Sequence, residues 1–173
     1  MRILATLPSE RWDIGTWALL GDDDQIISGY GTFPADGKSD NSSASAHSNP
    51  LRDPTKPFGD TPIGEYTGTL SYVPDEPQNR RSYGLPDETK SIPVIRLQPQ
   101  VGDTQAWQRQ TNEGITVNMG LMIHAGPPNG NNQLRPTHGC LRTWQNDFTK
   151  VYLYLEQQFV KEIQVSIEER ILT

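Results

Sequence analysis

The chain is poor in cysteine: Cys140 is the only one among 173 residues. A single cysteine forms no internal disulfide, and it excludes zinc modules built on paired CxxC ligands. Positive charge is also short, with 15 Lys and Arg against 21 Asp and Glu and a net charge of −6. Nucleic-acid binding and docking on an anionic membrane both need clustered cations, so neither is expected. Long apolar runs are missing as well. Nothing approaches the roughly 18 residues of a membrane span, so no membrane insertion is expected. The "ILATL" near the N-terminus runs at once into Pro8, Glu10 and Arg11, too short for the apolar stretch of an export signal. Without repeats or a composition break, residues 1–173 read as a single domain.

What is present reads mainly as strands. "TWALLGDDDQIISGYGTF" predicts a β-hairpin, with Trp17–Leu20 and Ile26–Ile27 flanking the turn-rich "GDDD". Glu65 to Val73 alternates as a strand with Tyr66, Gly68, Leu70 and Tyr72 on one side; "IPVIRLQPQ" and "ITVNMGLMIHAG" predict two more, the second ending at His124. "IQVSI" predicts a last strand. Two polar stretches, 34–57 and 74–91, read as long surface loops. His47 lies in the first and reads as a solvated loop histidine. The only helix expected comes late, capped by Asp147, with Phe148, Val151, Tyr152, Leu155 and Phe159 spaced by three and four. The fold class is therefore mainly β, a sheet sandwich or barrel with one substantial C-terminal helix.

The chemistry-bearing residues cluster in "PTHGCLRTW" and in the upstream "LMIHAGPPNG". A thiol attacks a carbonyl as the thiolate, so it needs a base or cation to lower its pKa from about 8.5, and N–H donors for the developing oxyanion. Gly139 permits tight backbone geometry beside the sulfur. His138 lies two positions from Cys140, on the same face of an extended chain. His124 ends a strand that can present it rigidly. Spacing favours neither histidine as base. Two other readings stand beside the nucleophilic one. In the first, the histidines are hydrogen-bonded loop residues and Cys140 is buried filler. In the second, His124, His138 and Cys140 bind zinc for a metal-dependent hydrolase, although H-x13-H-x-C matches no usual zinc spacing.

"IHAGPPNGNNQLRPTHGCLR" resembles the signature of the L,D-transpeptidase catalytic domain (YkuD-type). His124 is followed by twelve residues and then by Thr137, His138, Gly139, Cys140, Leu141 and Arg142. "DTPIGEY", Asp60 to Tyr66, is similar to a second segment of that family, and the resemblance runs from about Trp12 to Phe159. The chain departs from the pattern at Gln145, where many members carry Asn, and keeps Asp147.

The resemblance implies an L,D-transpeptidase-like fold with no cofactor and no metal. It implies Cys140 as nucleophile and His124 as base, oriented by a backbone carbonyl near Ala125. It further implies Gly139 and Cys140 N–H groups at the oxyanion, His138 bracing the loop or beside the thiol, and Thr137 and Arg142 at the substrate. Arg142 would either hold a substrate carboxylate or fix the loop. The substrates would be peptidoglycan stem peptides: a thioester forms with release of D-alanine, and an amine or water resolves it. The place of action would be the periplasm or cell wall. The short N-terminal apolar stretch would fit specialised secretion, as for an antibacterial effector with a secretion or immunity partner protein. The alternative from another class is a non-catalytic wall-binding domain of the same fold.

Overall fold

A computed structural model describes residues 1–9, 13–114, 120–127 and 133–170. Eight strands close into a barrel: β1 (Arg2–Pro8), β2 (Gly15–Leu20), β3 (Phe33–Asp36), β4 (Gly64–Pro74), β5 (Ser91–Pro99), β6 (Met122–His124), β7 (Leu141–Thr143) and β8 (Glu162–Arg170). Their order around the barrel is β1-β2-β3-β7-β6-β5-β4-β8. The pairs β1–β8 and β6–β7 are parallel and the rest antiparallel. Of sandwich and barrel, the chain forms the barrel.

Strand alternation fills the interior. Ile3, Ala5 and Leu7 of β1 and Ile163, Val165 and Ile167 of β8 are buried, with more exposed residues between most of them. β4 has the expected alternation only in part, since Tyr66 and Gly68 are buried while Leu70 and Tyr72 are half-buried. Gly68 is there for space: a Cβ would lie 2.8 Å from Val165 Cγ2 and 2.9 Å from Ile95 Cγ2. β1 was not expected, because Ile3, Leu4, Ala5 and Leu7 read only as a short, mildly apolar stretch running into Pro8. The proposed hairpin partner is reduced to one Leu20–Ile26 bridge, and β2 pairs instead with β1 and β3. The acidic turn is closed by Gly21 N–H donating to Gln25 O at 2.8 Å. Of "ITVNMGLMIHAG", residues 122–124 form β6, and 115–119 lie outside the described residues.

Among the described residues, four helices accompany the barrel. α4 (Gln145–Gln157) is the expected C-terminal one. Phe148, Val151, Tyr152 and Leu155 bury its apolar stripe, each contributing roughly 1.5–3 kcal/mol. Phe148 packs near Trp17, with ring centroids 6.4 Å apart, and Tyr152 lies edge-on to Tyr72. Two expectations fail here. Trp144 holds the N-cap position and Asp147 lies in the first turn, where its carboxylate still favours the helix dipole. Phe159 follows the helix at φ 56° and is 91 % exposed, outside the stripe.

The two polar stretches are ordered. The first contributes β3 and α1 (Asn41–Ala46), capped by Asp40, whose side chain accepts from Ser43 N–H at 2.8 Å. The second contains α2 (Pro77–Tyr83), with proline in its first turn. α3 (Gln105–Glu113) was not expected either, because it buries Arg109 and Gln110 beside a lone Ala106 and so shows no apolar stripe. Its signals are the ends: Thr104 accepts from Trp107 N–H at 3.2 Å, and Gly114 closes it at φ 66°.

Candidate active site

β6 and β7 lie side by side in parallel, with Ile123 opposite Leu141 and His124 opposite Arg142. This pairing brings the strand-end histidine next to the start of β7, and Cys140 is the residue before β7. Both side chains line one cavity of about 540 Å³. The stretch 37–61 wraps the segment leading to the cysteine. Asp40 N–H donates to Thr137 O at 2.9 Å, and Thr137 N–H donates to Lys38 O at 2.9 Å. Asp60 accepts from Ser39 N–H at 2.7 Å and pairs with Arg52 at 3.0 Å. The hydroxyls of Thr61 and Thr137 both donate to Cys140 O, at 2.9 and 2.8 Å.

His124 is buried, and its Nδ1 faces the carbonyl of Ala125. In the neutral ring the proton must therefore sit on Nδ1, which leaves Nε2 as an acceptor. Burial, reinforced by the charge of Arg142, pushes the His124 pKa down to about 3. Tyr83, at the end of α2, stands edge-on to this ring with centroids 5.1 Å apart. Cys140 is 8 % exposed, and Sγ donates to Gly120 O at 3.6 Å. Burial pushes the thiol up, against the Met122 N–H and the charges of Arg109 and Arg142. The resting pair is therefore neutral thiol with neutral imidazole, not the lowered thiol expected from sequence. The only acid–base chemistry open to groups in that state is general-base catalysis, in which the proton leaves sulfur as a new bond forms.

Gly139 has φ 111°, and a Cβ there would stand 2.4 Å from Arg109 Nη1. Its N–H already donates to Thr137 Oγ1 at 3.1 Å, so both groups are spent on loop structure. His138 is exposed; its Nε2 meets Ser43 Oγ at 3.1 Å, and its ring packs against Phe58, which stacks on His47. It lines the cavity, on the side of α1. Arg142 is buried, donating to Arg135 O at 3.1 Å and Ser82 O at 2.7 Å, while Nε has no partner. It thus ties α2 to the loop before Thr137. Asp36, opposite Arg142 across β3 and β7, is pushed up to about 6 by burial. Among the described residues no group of three or more His, Cys, Asp or Glu could hold a metal ion.

Sequence reading missed Tyr83, Arg109 and the role of Gln145. Gln145 accepts from Leu85 N–H at 2.8 Å and so fixes the chain leaving α2, just after Tyr83. Nothing local in the sequence links residues 60 positions apart.

No protein-family model matches the chain, and no curated protein matches it. Among solved structures it is similar to the crystal structure of Mycobacterium tuberculosis L,D-transpeptidase 1, with 11 % identity and a TM-score of 0.39. The match covers 96 % of this chain and 62 % of that one, so the chain spans less than two thirds of that structure.

Proposed function

We propose that the protein is a cysteine acyltransferase or peptidase of the L,D-transpeptidase kind, acting on peptidoglycan stem peptides through a thioester on Cys140. The observation that carries this reading is the His124–Cys140 pair in one cavity, with Nδ1 committed to Ala125 O and Nε2 left as acceptor. His124 takes the thiol proton as sulfur attacks the carbonyl of the third stem residue. The tetrahedral intermediate collapses to the thioester, and the proton passes to the departing D-alanine nitrogen. An incoming amine or water then repeats the sequence on the thioester.

Purified muropeptides incubated with the protein and resolved by mass spectrometry test this. Loss of D-alanine or formation of a dimer in wild type, and neither in Cys140→Ala, is the expected result. No product in wild type overturns it. A non-catalytic wall-binding reading is favoured by one observation, the buried thiol held to Gly120 O; it predicts that wild type and Cys140→Ala bind stem peptides equally and neither turns them over. The place of action on this proposal is the periplasm or cell wall. Expression directed to the periplasm should then lyse cells unless a cognate immunity protein is present, while cytoplasmic expression should not.

A further inference from the structure

The cavity has an unusual charge balance for a chain of net charge −6. Four arginines line it, Arg81, Arg109, Arg135 and Arg142, against two carboxylates, Asp40 and Glu113. Both carboxylates are engaged. Glu113 pairs with Arg109 at 2.9 Å, and Asp40 caps α1. Elsewhere Arg52 and Arg80 pair with Asp60 and Asp75. Among the described residues, Arg81 and Arg135 have no such partner. The two belong to different segments, and one guanidinium ties those segments together: Arg142 donates to the backbone carbonyls of Arg135 and of Ser82, the residue after Arg81. Arg142 is itself buried with Nε unpartnered, and the charge of Arg135 bears on it. Three like charges around one cavity repel one another unless an anion enters. Since Arg142 is spent on carbonyls, the free cations are Arg81 and Arg135.

We propose that Arg81 and Arg135 form the subsite that receives the C-terminal carboxylate of the donor stem peptide. The inference rests on the acyl-transfer reading for the identity of the donor. A leaving D-alanine carries its carboxylate one residue beyond the scissile carbonyl, at most about 3.6 Å of chain. The carboxylate therefore falls in the cavity that holds Cys140. Guanidinium forks suit a carboxylate in the bidentate mode, and an amide in its place loses both the charge and an acceptor. The chain is then selective for stems with a free C-terminus.

The test uses the full chain carrying Cys140→Ala, so that binding is read without turnover. Its affinity is measured calorimetrically for a disaccharide-tetrapeptide and for the same molecule with a C-terminal amide, alone and with Arg81→Gln, Arg135→Gln, both, or both as Lys. The acid should bind at least about tenfold more tightly than the amide. Each Gln variant should shrink that ratio, the double Gln variant should bring it near one, and the Lys pair should recover part of it. A preference unchanged in the double Gln variant, or no binding of either peptide, overturns the proposal. Acid-selective binding lost with Arg81 and Arg135, in a protein whose wild type yields no product, upholds the subsite and sinks the acyl-transfer reading instead.

Discussion

Replacing Gly139 by alanine should destabilise the protein through one identifiable neighbour. The backbone there stands at φ 111°, a conformation that costs a residue with a Cβ on the order of 1–3 kcal/mol. The added carbon would also stand 2.4 Å from Arg109 Nη1. Arg109 cannot yield cheaply. It is buried, paired with Glu113 at 2.9 Å, and donates to His138 O at 3.2 Å. Displacing it gives up part of a buried ion pair whose rupture costs about 3–5 kcal/mol. The two contributions separate in a double-mutant cycle with Arg109→Ala. Once the guanidinium is gone, Gly139→Ala should cost only the backbone part, so the pair should cost less than the sum by roughly 2 kcal/mol. The penalty for leaving Glu113 unpaired is common to both Arg109→Ala proteins and cancels. Urea unfolding of the four proteins reads this directly. Additivity within about 0.5 kcal/mol would refute the steric link between the glycine and the arginine.

Two pH effects of opposite sign should appear in stability. His124, with its pKa pushed down to about 3, stays neutral in the fold while the unfolded chain takes a proton. Stability should therefore fall as pH drops from 6.5 toward 3, and His124→Asn should remove that loss in urea midpoints measured across the range. Asp36, raised to about 6, binds its proton more tightly in the fold, so its contribution falls as pH rises from 3.8 to 6. Asp36→Asn should abolish that decline, on the order of 3 kcal/mol, and a curve unchanged by the substitution would contradict it. Turnover should follow the same chemistry: kcat/KM should hold steady from pH 7 down to pH 5, whereas a fall centred on 6.5 would mean that the base is an ordinary histidine. Gln145→Ala removes the acceptor for the exposed Leu85 N–H and should cost about 0.5–1.5 kcal/mol and lower turnover by loosening Tyr83, while an unchanged rate would separate Tyr83 from the site.

The strands that carry regular alternation or branched runs, β4, β5 and β8, were legible in the sequence, as was the buried stripe of α4. What escaped shares a cause. α3 buries polar side chains and pairs them, so it shows no apolar period. α1 and α2 are short and depend on Asp40 and on Pro77 at their starts. Phe159 fits the helical spacing, yet the chain has already left the helix. At the site, the motif placed His124 and Cys140 within one segment, but the parallel pairing of β6 and β7 is what sets them together. The contacts to Tyr83, Arg109 and Thr61 come from segments distant in sequence, and no local pattern announces them.

β8 lies between β1, with which it runs parallel, and β4, with which it runs antiparallel. Among the described residues it is also the last strand in chain order. During synthesis every other strand emerges before residues 162–170, and until then β1 and β4 each keep an open edge. Such edges recruit further strands and drive aggregation. The barrel therefore closes only once its C-terminal end is available, and the early chain depends on slow, non-local pairing to be completed.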